Sequence, residues 1–417
     1  MKTKGKIIRI VLFWVAFFLV IAALQIPFRL KSDLIPETVL GFYEEEDDSL
    51  DAVYIGSSTT YAFWQATTAW ENKGIAVYPF AVPSMPAQCL KYMIIEAQKT
   101  QKDPLFILNL NTFNTVEVSN VDVHRMADFL PMSLNKLRMM NMLIDDVGAK
   151  GVDRLEYYLP IIQFHEEWSN LKPNDIVRKY YNYKGAEHNK THFSSVADIS
   201  KWDKVIETTA PMTDVQKAVM DDLLQYIKEN ELKVLFVLVP NESKKAGDLE
   251  QLCTVAQYAE NAGCPVLNLV NRKAELGMDT ARDYYNEKHT NIHGALKFTG
   301  FLSEYLTENY SFEDKRGSEA YKSWDEAAKK WNKQAAPYLL DYEMNHEKRD
   351  PTMEARELSL KKLEGSILIR WNPIEGAETY HLYRKDTEKN DWALLAEFPA
   401  GTGEYTDEGL KSGVMYT

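Results

Sequence analysis

The sequence predicts an α/β protein whose parallel sheet is covered on both faces. Two patterns carry this. Short continuous apolar runs recur through residues 51–312, and amphipathic helical stretches separate them. A third pattern sets residues 356–417 apart: short runs there alternate apolar with polar, the period of an all-β sandwich.

The elements follow in order. Residues 51–56 read as a buried strand, and 61–72 as a helix. Strand 75–82 and helix 86–99 come next, the helix opened by Pro86. Strand 105–110 ends the first half. Helix 213–230 is capped by Thr213, with Gln216 three residues on. The run Lys-Val-Leu-Phe-Val-Leu-Val at 233–239 is the clearest strand. Helix 249–262 stops at Gly263, strand 265–269 follows, and helix 294–306 closes the pattern. Crossovers between parallel strands are right-handed by default. Residues 112–211 break the rhythm and read as an insertion, a lid or substrate wall at the sheet edge.

Charge and composition exclude several classes. The 417 residues are 45% hydrophobic and 26% charged, which is ordinary for a folded protein. The net charge of −13 speaks against a nucleic-acid partner, which needs a basic footprint. The acidic run Glu44-Glu45-Glu46-Asp47-Asp48 reads as solvated linker. Three cysteines, Cys89, Cys253 and Cys264, cannot form a disulfide framework, although Cys253 and Cys264 flank a helix and could pair. No zinc-type Cys/His spacing and no HExxH occurs, so no metal or cofactor is expected.

The N-terminus reads as a membrane anchor over residues 1–28. Lys2, Lys4, Lys6 and Arg9 precede an apolar stretch from Ile10 to Leu24, and Ile7, Ile8 and Ile26 extend it towards the ~20 residues a bilayer requires. The basic residues place the N-terminus in the cytoplasm and the rest outside. Cleavage after Ala23 would instead give a secreted protein. Residues 29–50 then form a polar linker. After the α/β region, residues 313–355 read as a helical connector, with Trp324, Trp331 and Tyr338 seven apart on one face.

Ligands of open α/β sheets bind beyond the carboxyl ends of the strands. The first such loop is Gly56-Ser57-Ser58. A serine there is either a helix cap or a nucleophile, and a nucleophile needs a base. His289 lies after the last strand and before the last helix, where its loop can reach the same edge.

These residues resemble the SGNH/GDSL hydrolase superfamily, in the membrane-anchored bacterial branch akin to proteins of teichoic-acid D-alanylation and alginate O-acetylation. The resemblance covers about residues 50–310. It implies a flavodoxin-like, three-layer fold. The family's Gly-Asp-Ser or Gly-Ser-Ser block is matched by Gly56-Ser57-Ser58, making Ser58 the nucleophile. Its Asp-x-x-His block is matched by Asn286-Glu287-Lys288-His289, making His289 the base. Asn286 stands where the family has its orienting acid, and Asp283 is the nearby alternative. The Gly-x-Asn-Asp block is represented by Asn109 and Asn111, expected on one face of the strand. Asn111 is the oxyanion donor expected beside the Ser58 N–H, and Ser84 occupies the second-block loop. His293 reads as a first-turn helix residue. His124, His165, His188 and His192 read as surface or substrate-wall residues.

The implied activity is that of an extracytoplasmic serine esterase or O-acyltransferase. The implied partners are acylated carbohydrate or cell-wall polymer. The alternative is a catalytically weak glycan-binding or assembly partner of a membrane O-acyltransferase. At the C-terminus, Trp371 and Leu410-x-x-Gly413-x-x-Tyr416 resemble a fibronectin type III module, with Tyr416 at its tyrosine corner. The module stops at Thr417 before its last strands, so the sequence reads as part of a longer protein.

Overall fold

The computed structural model describes residues 2–32, 34–177, 180–187, 205–206, 209–241, 247–280, 282–346, 358–363, 365–373, 376, 379–386, 391–408 and 410. It divides into two units, Met1–Lys329 and Lys330–Thr417.

The first unit begins with α1 (Lys2–Gln25), whose apolar residues are exposed. The sheet starts at β1 (Ala52–Gly56), followed by α2 (Ser58–Phe63), α3 (Ala66–Lys73) and β2 (Val77–Ala81). Then come α4 (Leu90–Ala97) and β3 (Leu105–Asn109). The insertion contributes α5 (Asn120–Ala127), α6 (Leu134–Val147), α7 (Leu155–Tyr158), α8 (Pro160–Phe164) and α9 (Pro173–Ile176). α10 (Asp214–Glu229), β4 (Val234–Leu238), α11 (Asp248–Asn261) and β5 (Val266–Asn268) complete the sheet. A small antiparallel hairpin, β6 (Tyr284–Asn286) with β7 (His289–Thr290), leads into α12 (Ile292–Asn309).

The five main strands are all parallel, in the order β2-β1-β3-β4-β5. Every residue of β1 to β4 is buried, which is why these strands read as continuous apolar runs. From β1 the chain moves one way to β2, then the other way to β3, β4 and β5. Right-handed crossovers therefore put α3 and α4 on opposite faces. α2 and α3 pack with α12, while α4 and α11 pack with α10. The strand order reverses between β1 and β3, the usual place for a ligand crevice.

The helix expected over 61–72 is two helices. Trp64 and Gln65 interrupt it, because the Trp64 indole N–H donates to the Val77 carbonyl at 3.0 Å and the Gln65 N–H to Thr299 Oγ1 at 2.8 Å. The described part of the insertion is largely helical over 120–176, and its two ends meet: Gln216 Nε2, in the first turn of α10, donates to the Phe113 carbonyl at 3.0 Å. His124 is not a surface or wall residue. It is buried in α5 with Nδ1 3.1 Å from Asp128 Oδ1, and Asp128 Oδ2 accepts the Leu30 N–H at 2.7 Å. His165 is exposed, and His188 and His192 lie outside the described residues.

The segment expected to be a polar linker is built into the domain. Val39 and Phe42 are buried, Phe42 stacks on Phe80 with centroids 4.2 Å apart, and the Tyr78 hydroxyl donates to the Glu37 carbonyl at 2.8 Å. Burying one such phenyl ring contributes about 1.5–3 kcal/mol. Glu45, from the acidic run, is likewise buried. It accepts from Lys184 Nζ at 2.7 Å and from the Trp324 indole N–H at 2.9 Å. Burial pushes its carboxyl pKa up, and Lys184 opposes that.

α13 (Lys322–His346) crosses the boundary between the units. Trp324 and Trp331 are buried, and Tyr338 is partly so. In the second unit, β8 (Ser359–Lys362), β9 (Ser366–Arg370) and β12 (Glu404–Glu408) form one antiparallel sheet, and β10 (Thr379–Asp386) and β11 (Asp391–Pro399) another. Trp371 lies against Tyr380 and Phe398, joining the two sheets. Tyr416 lies outside the described residues.

Candidate active site

The first loop is an elbow made tight by Gly56. A Cβ there would sit 2.2 Å from Thr60 Oγ1 and 2.5 Å from Asn109 Cβ, so only glycine fits. Ser57 is extended and caps α2 by position, and its N–H donates to Thr112 Oγ1 at 3.1 Å. Ser58 is therefore the first residue of α2, half-buried at the carboxyl end of β1.

The β6–β7 hairpin brings His289 to the same edge. Thr290 Oγ1 donates to the Ala62 carbonyl and the Tyr284 hydroxyl to the Pro240 carbonyl, so the hairpin is tied to both α2 and the end of β4. Asn291 caps α12, its Oδ1 accepting from His293 N at 3.0 Å and Gly294 N at 3.2 Å. Gly294 allows a close approach, since a Cβ there would meet the Asp283 carbonyl oxygen at 2.2 Å. His289 Nε2 lies 2.6 Å from Ser58 Oγ. Ser58 and His289, 231 positions apart in sequence, are in hydrogen-bond contact, the geometry a nucleophile and its base require.

His289 Nδ1 lies 3.0 Å from Asn286 Oδ1. The same oxygen accepts the backbone N–H groups of Lys288 at 2.9 Å and His289 at 3.0 Å. Two backbone donors require an acceptor there, which fixes the amide orientation. Nδ1 must then carry the hydrogen, and Nε2 turns its lone pair to the serine. This is the tautomer a general base needs. Tyr285 stacks on the imidazole with centroids 5.4 Å apart and planes 10° from parallel.

Burial pulls the His289 pKa down to about 4. The Lys288 cation adds to the effect and Glu287 opposes it. An amide cannot raise the pKa as a carboxylate does, so the ring is neutral at pH 7 and only weakly basic.

Asp283 is not the alternative acid. It is fully buried, and its carboxylate is held by Lys297 Nζ at 2.9 and 3.2 Å and by the Asp279 N–H at 2.6 Å. Asn111 is also engaged elsewhere. Its amide donates to Asn241 Oδ1 at 2.7 Å and to the Val239 carbonyl at 3.3 Å, and it accepts the Val239 N–H at 2.9 Å. Neither amide hydrogen remains for an oxyanion. Asn109 and Asn111 do not share a face. β3 ends at Asn109, and Asn111 lies in the helical turn Leu110–Asn114, where strand alternation no longer holds. Asn109 points to α2, donating to Thr59 Oγ1 at 3.0 Å and Thr60 Oγ1 at 3.1 Å.

Two backbone donors remain near the elbow. The Ser58 N–H belongs to the first turn of α2, where helix geometry leaves N–H groups without intrahelical acceptors. Ser84 follows β2, whose Ala81 pairs with Gly56, and it is exposed with φ at +53°, a conformation that favours glycine. Among the described residues neither N–H has a hydrogen-bond partner.

Several neighbours gave no signal in the sequence. Tyr61 sets its phenol beside Ser58, one helical turn on. Thr59, Thr60 and Thr112 brace the elbow through partners about fifty positions away or more. Glu187 brings a carboxyl with no charged partner among the described residues against α2 and Thr290. Its Oε2 is buried and unbonded, and burial pushes its pKa up to about 7. All three cysteines are free. No protein-family model and no curated protein matches the chain.

Proposed function

We propose that this protein is a serine-dependent ester hydrolase or O-acyltransferase of SGNH type. The observation that carries the reading is the 2.6 Å contact between Ser58 Oγ and His289 Nε2, with Asn286 holding Nδ1. In the first step Ser58 Oγ attacks an ester carbonyl while its proton passes to His289 Nε2. The carbonyl oxygen becomes an oxyanion, served by the N–H groups of Ser58 and Ser84. Collapse expels the alcohol, which takes the proton from His289, and leaves Ser58 acylated. Water or a sugar hydroxyl then attacks, giving its proton to Nε2. The acyl group departs, and the proton returns to Ser58. Acylated envelope glycans are the substrates the family resemblance suggests, and an N-terminal anchor suits them.

A second reading has one observation in its favour. With Asn286 in place of a carboxylate, the imidazolium that forms in each half-reaction lacks a charged partner, a loss that can cost ~10⁴ in rate. The protein would then serve as a slow or non-catalytic glycan-binding partner of a membrane O-acyltransferase. A fluorophosphonate probe separates the two. Stoichiometric labelling lost in Ser58→Ala and in His289→Ala supports the enzyme. Absence of labelling, together with glycan binding unchanged in both variants, supports the partner and ends the enzymatic reading.

A further inference from the structure

The feature with most left to explain is a group of exposed apolar side chains on the elements packed at the foot of α1. The apolar helix runs over Gly5–Phe28, 24 residues. At 1.5 Å per residue that is about 36 Å, against a hydrocarbon core of ~30 Å. Its last turn therefore lies at the level of the lipid headgroups if α1 spans a bilayer. The insertion is fastened at that level. The Ile161 N–H, in α8, donates to Gln25 Oε1 at 3.0 Å, and Lys31 pairs with Glu167 at 2.7 Å. The short helical turn Ile26–Phe28 is packed by α8, by the turn His165–Asn170 and by α9.

Each of those three elements turns a large apolar residue outward. Ile162 is 45% exposed, Trp168 72%, Ile176 60% and Val177 66%. Scattered single apolar residues on a surface need no explanation. Three on the pieces packed at the exit of one apolar helix, with Val177 directly after the last of them, do, because lipid rather than water lies on that side if α1 is a span.

We propose that this part of the insertion lies in the headgroup layer, so that the protein is bound to the membrane by a span and by an interfacial collar together. Tryptophan is enriched at that depth, and short apolar faces bury there without crossing. The collar belongs to the insertion, which leaves β3 and rejoins at α10 on the edge that carries Ser58. This inference rests on α1 being retained as a span, and it does not depend on the proposed chemistry.

The test uses the full chain in protein-free vesicles of phosphatidylethanolamine and phosphatidylglycerol. Cys253 and Cys264 are replaced by serine, and nitroxides are attached at Trp168→Cys, Ile176→Cys and, as a water-facing reference, Val215→Cys on α10. The expected result is an accessibility ratio of oxygen to a soluble nickel chelate several-fold higher at 168 and 176 than at 215. Equal ratios at the three positions in floated vesicles overturn the proposal. Protection seen only in native membranes also overturns it, because a membrane protein then covers the face. A chain that does not float with vesicles removes the premise that α1 is a span. None of these results touches serine labelling, so the two proposals fail separately.

Discussion

Asn286 Oδ1 accepts three hydrogens, one from the His289 imidazole and two from the backbone of Lys288 and His289. One oxygen thus closes the β6–β7 turn and sets the tautomer of His289. Asn286→Asp keeps the acceptor and adds a charge. The imidazolium gains a partner, so serine acylation should accelerate, by on the order of tenfold or more, below a ceiling of ~10⁴. The rate of fluorophosphonate labelling measures it. An unchanged or slower rate in a folded variant would show that the amide does not limit the base.

The depressed pKa of His289 fixes a pH profile. The base acts in its neutral form, and that form persists down to about pH 4. The apparent acylation constant should stay flat from neutrality to about pH 5 and fall below that. In Asn286→Asp the acidic limb should move to higher pH, since a carboxylate favours the charged ring. A wild-type limb centred near the ordinary histidine value would contradict the burial argument.

Glu187 makes stability depend on pH in the opposite sense to an ion-paired carboxylate. Its pKa is raised in the folded state to about 7, against ~4.3 in an unfolded chain. The native state binds the extra proton, so the stabilisation is complete below about pH 4.3 and is lost as pH rises through 7. Glu187→Gln should be about 1–3 kcal/mol more stable than wild type at pH 8 and equal to it at pH 4. Urea melts at the two pH values give the difference.

The buried pair of Lys184 and Glu45 is the stability hinge of the N-terminal segment. Both side chains are almost fully buried, so removing the cation strands a carboxylate among Trp324 and its neighbours. Lys184→Met should cost about 3–5 kcal/mol, while Lys184→Met with Glu45→Gln should recover most of that. Equal losses in the single and double variants would show that the ion pair is not what matters there.

The parts of the fold that could be read from sequence are those whose environment is uniform. β1, β3 and β4 are buried on both faces, so apart from Asn109 at the end of β3 their sequences lack charged or strongly polar side chains and read as strands. Ser58 could be placed because it follows β1 directly, and His289 because it lies just before the amphipathic helix α12. Contacts between distant polar residues left no local trace. Glu45 reads as a solvated acid until Lys184, 139 positions on, is seen to neutralise it. Asn111 carries the residue type an oxyanion hole uses, yet Asn241, 130 positions later, claims its amide. The break at Trp64 is equally silent, because Val77 and Thr299 cause it, not helix propensity.

The hydrogen bond from Gln216 to the Phe113 carbonyl joins the two ends of the insertion. A segment that departs and returns through one doorway puts no tension on the sheet behind it. A graft between residues 114 and 213 would still have to keep Lys184 and Glu187, which pack against Glu45 and against α2.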